Sequence, residues 1–172
     1  MKRKKLRKGF TLVEMILYVS VCSILFLALF GIFSLLMSAR IKNQTVTEVN
    51  QSGIQITQLV SQSIRNAKGI IVPSIGVSSS TLSLKTVSTS TNPTVFDVAS
   101  GTFFVKEGTS TKIALSNRRV MISNFTATNT SLTSSTTNEG GVEFSFIVSY
   151  IASGSSTDYS FTKSFFGSAV FH

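Results

Sequence analysis

Cysteine, histidine and acidic residues are scarce in this chain. The one cysteine, Cys22, has no partner, so no intramolecular disulfide can form. The one histidine is His172, and with no Cys or His cluster nothing points to a zinc or haem site. Cys22 reads as a packed thiol and His172 as a frayed end, and no cofactor or metal is expected. Beyond Glu48 the acids are Asp97, Glu107, Glu139, Glu143 and Asp158. No two of them form a recognised catalytic motif, and a dyad could arise only through folding. No catalytic residue is assigned and no enzyme is expected.

Positive charge is plentiful, but it is local. The formal net charge is +9, and Lys2, Arg3, Lys4, Lys5, Arg7 and Lys8 supply six of the sixteen basic side chains. From Phe10 onward ten basic and seven acidic residues leave only +3. A protein that follows a phosphate backbone needs a basic stripe along its folded part, and none is present, so nucleic acid is not expected as a direct ligand. Arg118 and Arg119 are the one adjacent basic pair beyond the leader, and they read as a solvated turn.

Residues 15–39, MILYVSVCSILFLALFGIFSLLMSA, carry no charge. A helix of that length covers about 37 Å, enough for a hydrocarbon core of roughly 30 Å. A cleaved secretory signal would be shorter and would end in a small-x-small site, where Met37 is too bulky. The cations of the leader place the N-terminus on the cytoplasmic side and the rest of the chain outside.

The helix is expected to continue past the membrane. Val46, Val49, Gly53, Ile56, Val60, Ile64 and Ala67 recur at spacings of three or four, while Thr47, Gln51, Gln55, Gln58, Gln62 and Arg65 fall opposite. Lys68 and Gly69 supply a cation for the carbonyl end and a left-handed cap, so the helix is expected to end near 68.

Beyond Gly69, serine and threonine fill 38 of the last 103 positions. Strands are expected at 81–87, 94–99, 102–107, 112–116, 120–127, 142–151 and 158–166. The clearest alternates Phe144, Phe146, Val148 and Tyr150 with Glu143, Ser145 and Ser149. An antiparallel sheet with one buried face, covered by the apolar side of residues 46–67, makes the fold α+β. Residues 126–141 read as a long polar loop.

A cationic leader ending in Gly9, the block GFTLVE at 9–14 and an uncleaved span starting inside it resemble the N-terminus of type IV prepilins and pseudopilins. The likeness covers residues 2 to about 39. It implies that a prepilin peptidase cuts between Gly9 and Phe10 and N-methylates Phe10, and that the mature subunits join a helical filament. The implied partners are that peptidase, other pilins or pseudopilins, the inner-membrane assembly platform and membrane lipid. Residues 1–9 are then a leader, 10–39 the membrane-spanning helix, 40–69 its amphipathic continuation and 70–172 an extracytoplasmic β-domain.

Chemistry gives these residue types a role. Gly9 leaves its backbone open to a protease. Cleavage frees the amine of Phe10, which is largely cationic at neutral pH. An ionised Glu14 in hydrocarbon costs at least ~2.5 kcal/mol and needs a cation. Within one subunit the Phe10 amine lies about one turn from Glu14, and the resemblance implies that the Phe10 amine of a neighbouring subunit can also pair with it, so that Glu14 sets axial register. On spacing alone, Thr11 and Glu14 also form a T-x-x-E capping box at a helix start. Gly31 lies where many pilins have a helix-breaking proline; it is either a weak point or a small residue for close helix packing. A minor pilin or pseudopilin is the first expectation, with the major pilin of such a filament, or a signal-anchored extracytoplasmic adhesin or enzyme, as alternatives.

Overall fold

The structure, a computed structural model, describes residues 9–131, 140–151 and 160–171. One helix, α1 (Leu12–Arg65), is followed by nine strands: β1 (Ala67–Val72), β2 (Ser78–Ser79), β3 (Thr81–Thr86), β4 (Thr94–Ala99), β5 (Thr102–Glu107), β6 (Ile113–Ala114), β7 (Val120–Asn129), β8 (Gly140–Tyr150) and β9 (Thr162–Phe171). This is an α+β fold. The chain divides into two compact units, residues 1–42 and 43–172.

In the first unit α1 is apolar all round and no residue of its most apolar stretch is buried. A helix of that kind is stable only where the surroundings are themselves apolar. Hydroxyls on this helix satisfy themselves locally: Ser20 donates to the Leu17 carbonyl and Ser23 to that of Val19, both at 2.8 Å, and Ser38 to that of Ser34 at 3.2 Å.

The second unit is built from the part of α1 after Lys42 and two antiparallel sheets. One sheet has the order β1-β3-β4-β5-β6 and the other β2-β7-β8-β9. Burial of Val49, Gly53, Ile56, Val60 and Ile64 follows the expected stripe, while Thr47, Gln51, Gln55, Gln58, Gln62 and Arg65 are exposed. Each fully buried aliphatic side chain there contributes about 1.5–3 kcal/mol. Thr45 joins the buried face, whereas Val46 is half-buried.

Phenylalanines carry the core across all three layers. Phe96 (β4) lies 6.1 Å from Phe103 (β5); Phe103 meets Phe125 (β7) edge-on at 5.1 Å and lies 6.1 Å from Phe146 (β8). Phe146 stacks on Phe165 of β9 at 5.6 Å. The series ends at Gly53 of α1, where an added Cβ would sit 2.1 Å from Cζ of Phe165. Only a residue without a side chain lets this ring reach the helix.

Polar contacts fix the layers. Arg119 donates to Glu48 Oε1 at 2.7 Å, tying the start of β7 to α1, and Lys163 donates to Asn50 Oδ1 at 2.7 Å. Arg118 and Arg119 lie in the exposed turn that the sequence suggests, and Arg119 in addition anchors that turn to α1. Lys112 pairs with Asp97. β4 and β5 are joined by a two-residue turn, Ser100–Gly101, with φ of 50° and 76°. Positive φ at both positions suits a hairpin turn whose twist matches its strands. The Gly101 carbonyl then accepts from the Ile122 amide at 2.8 Å, linking the two sheets.

Several expectations are corrected. The helix stops at Arg65, not 68, and Gly69 is no left-handed cap: Ala67 and Gly69 pair with Thr86 and Lys85 in β1–β3. Sheet pairing of that segment outweighs the local capping signal. Two sheets form instead of one, since β3–β6 pair among themselves and β7–β9 among themselves, and β1 and β2 add strands where none is expected. The expected loop at 126–141 is strand at both ends, through Asn129 and from Gly140; residues 132–139 lie outside the described residues. The last strand runs Thr162–Phe171, later than the expected 158–166, of which 158–159 lie outside the described residues.

Candidate functional site

Gly9 and Phe10 precede α1 in a segment without regular structure, and both are exposed. A Cβ added at Gly9 would meet nothing within 4 Å. The peptide bond between these residues thus precedes the helix and is flanked by exposed residues. The basic residues before Gly9 lie outside the described residues.

The helix starts through Thr11. Its Oγ1 accepts from the Glu14 amide at 3.3 Å, and its carbonyl accepts from the Met15 amide at 3.2 Å. A threonine cap satisfies an otherwise unpaired amide of the first turn, and an acid in that turn is favoured by the helix dipole. The cap uses only the backbone of Glu14, which leaves the carboxylate free for another task.

That carboxylate is reached by one aromatic side chain, which itself touches another. Phe10, Glu14 and Tyr18 are spaced by four residues and share one face of the chain. The Tyr18 hydroxyl donates to Glu14 Oε1 at 3.5 Å, the long end of a hydrogen bond, and the rings of Phe10 and Tyr18 meet edge-on with centroids 6.4 Å apart. Among residues 9–44 Glu14 alone is not classed as exposed. Among the described residues it has no ion pair; its side-chain partner is a neutral phenol. The group therefore keeps acceptor capacity for a cation brought from outside the chain.

Tyr18 is the residue that sequence reasoning missed, although an aromatic four positions after an acid on a helix is a readable signal. Gly31 lies within unbroken helix, and a Cβ there would meet nothing within 4 Å. Cys22 is exposed on the same helix. Among the described residues no three His, Cys, Asp or Glu side chains group as metal ligands.

Residues 4–30 match the prokaryotic N-terminal methylation motif. No curated protein and no solved structure matches the chain. The apolar helix and the motif fit a membrane-anchored protein. Gly9, Phe10, Thr11, Glu14 and Tyr18 all fall inside the matched segment, and the chain thereby carries the N-terminal signature of the type IV prepilin and pseudopilin family.

Proposed function

We propose that this protein is a non-catalytic subunit, a minor pilin or pseudopilin, of a type IV pilus-like or type II secretion-like filament. A prepilin peptidase removes residues 1–9 and methylates Phe10. The chain waits in the cytoplasmic membrane with its N-terminus inside and residues 70–172 outside, held by the helix through residue 39. Assembly then draws it into a filament alongside other pilins, through the inner-membrane platform.

Glu14 carries this reading. In the first turn of an apolar helix its carboxylate has a phenol donor and, among the described residues, no ion pair. The Phe10 amine of an adjoining subunit supplies that charge, and pairing it with Glu14 sets how far one subunit is displaced along the filament from the next. A lateral mismatch would leave a carboxylate uncompensated in an apolar bundle, so only the correct register is stable.

A second reading makes Glu14 a cap on the helix of a signal-anchored domain. The Thr11 contact favours it, but that contact is to the Glu14 amide, which every substitution except proline retains. Glu14→Ala separates the two. Assembly through the carboxylate predicts normal membrane insertion and loss of the subunit from sheared filaments; insertion and filament recovery both at normal levels would reduce Glu14 to its backbone role.

A further inference from the structure

Two open sheets have four edges, and an unpaired edge is a template for another strand unless something blunts it. β2 and β6 are two residues long. β1 has two register shifts in six residues, which breaks the regular spacing of its outward groups. β9 has none of these protections. It runs ten residues in unbroken register with β8, from Thr162 opposite Ser149 to Phe171 opposite Gly140, and contains no proline. Its one charge, Lys163, reaches to Asn50 of α1.

The hydrogen-bond phase of this strand is fixed. Tyr150 donates to the Phe161 carbonyl at 2.9 Å, so in an antiparallel ladder the odd-numbered residues of β9 bond to β8. The amides and carbonyls of Thr162, Ser164, Phe166, Ser168 and Val170 then point to the open side. Their side chains share the face of the sheet away from the core, and all five are exposed, Phe166 at 76% and Val170 at 52%. Among the described residues β8 is the one strand paired with β9.

We infer that β9 is a docking edge and that its occupant is β9 of a second copy of this chain, added antiparallel so that two four-stranded sheets become one. The row is self-complementary about Phe166. In that register Phe166 faces the partner's Phe166, Ser164 faces the partner's Ser168, and Thr162 faces the partner's Val170. An aromatic pair is centred between hydroxyl pairs and no like charges are opposed, which is the favourable pattern for cross-strand neighbours. Since β9 is the one long regular edge that the described chain offers, pairing between copies uses the same strand on both sides. Such a contact closes at two and does not propagate. It is independent of the filament reading, because neither processing nor Glu14 enters it.

The test uses the full chain in its membrane, with Cys22→Ala removing the native thiol. Phe166→Cys in that background, treated with a short bis-maleimide, should give a product of twice the chain mass. Met121→Cys, on the same face but two strands away, should give none. Adding Ser168→Pro removes an amide on the open side without touching the β8 ladder, and should cut the product at least tenfold. If that variant loses its β-sheet signal, Phe166→Lys in the uncross-linked protein serves instead, converting dimer to monomer by native mass spectrometry. A monomer at Phe166→Cys, equal cross-linking at Met121→Cys, a product whose mass shows a different protein, or dimers indifferent to both edge variants would each overturn the inference.

Discussion

The hydroxyl of Tyr18 donates to the carboxylate of Glu14 across one helical turn, at 3.5 Å. A phenol gives the acid a hydrogen bond without neutralising it, and a hydrogen bond to a charged acceptor contributes about 1.5–3 kcal/mol at good geometry. At 3.5 Å, beyond the usual O–H···O range, the contribution falls below that. It leaves the second carboxylate oxygen of Glu14 without a protein donor among the described residues.

Tyr18→Phe keeps the ring against Phe10 and removes the donor. In an otherwise native chain it should lower the steady-state amount of membrane-inserted protein several-fold, measured by quantitative blotting of membranes. In a Glu14→Ala background it should change nothing, since the two groups then share no interaction. An equal loss in both backgrounds would mean that Tyr18 acts without Glu14.

Gly53→Ala should destabilise the second unit, against the usual rule. Alanine favours a helix over glycine by about 1 kcal/mol. Here the new methyl would overlap the Phe165 ring, a Cβ lying 2.1 Å from Cζ, and overpacking of that kind costs about 1–3 kcal/mol. A lower urea midpoint is expected, with partial recovery in Gly53→Ala/Phe165→Leu. A raised midpoint for the single variant would show that β9 does not rest on α1 at Gly53.

Arg119 and Glu48 should be asymmetric. Glu48 has 18% of its side chain exposed, and its Oε2 is buried with no hydrogen-bond partner. Removing Arg119 leaves that carboxylate with only the neutral Gln44 amide, at 3.2 Å from Oε1, and no cation, so Arg119→Met should destabilise more than Arg119→Met/Glu48→Gln. The hydrogen bond to Glu48, and then its charge, hold the Arg119 pKa above its usual value. A raised pKa in the folded state gives stability that is complete below the unfolded value and is lost only as pH climbs through the folded one. Chemical denaturation should therefore show a difference between native and Arg119→Met proteins that stays constant from neutral to mildly alkaline pH. Equal midpoints for the single and double variants would contradict the asymmetry.

The strands that alternate cleanly were legible in the sequence. Phe144, Phe146 and Val148 face the core while Glu143, Ser145 and Ser149 face out, as the period of two requires. The end of β7 was not legible, because its inward residue is polar. Asn129 is buried, and its amide group donates to the Pro73 carbonyl at 2.9 Å while its Oδ1 accepts from the Ser131 amide at 3.0 Å. With threonines facing out on either side of Ala127, the segment has the composition of a loop and the pairing of a strand. β2, at two residues, is too short for any alternation, whereas β6 falls inside the strand expected at 112–116. Lys68 and Gly69 misled for another reason: a local cap signal competes with long-range pairing to β3, which no window along the sequence contains. At the N-terminus the block GFTLVE, inside the matched segment, is what points to Gly9, Phe10, Thr11 and Glu14 as candidates. Tyr18 became visible only once helical spacing put its hydroxyl over the carboxylate.

The central claim is that Glu14 awaits a positive chain end made by proteolysis at Gly9. Intact-mass measurement of the full chain, expressed with and without a prepilin peptidase, tests it most directly. The account predicts that the peptidase removes residues 1–9 and adds a single methyl group, located on Phe10 by fragmentation. A chain of unchanged mass, or one cut at any other bond, would contradict it.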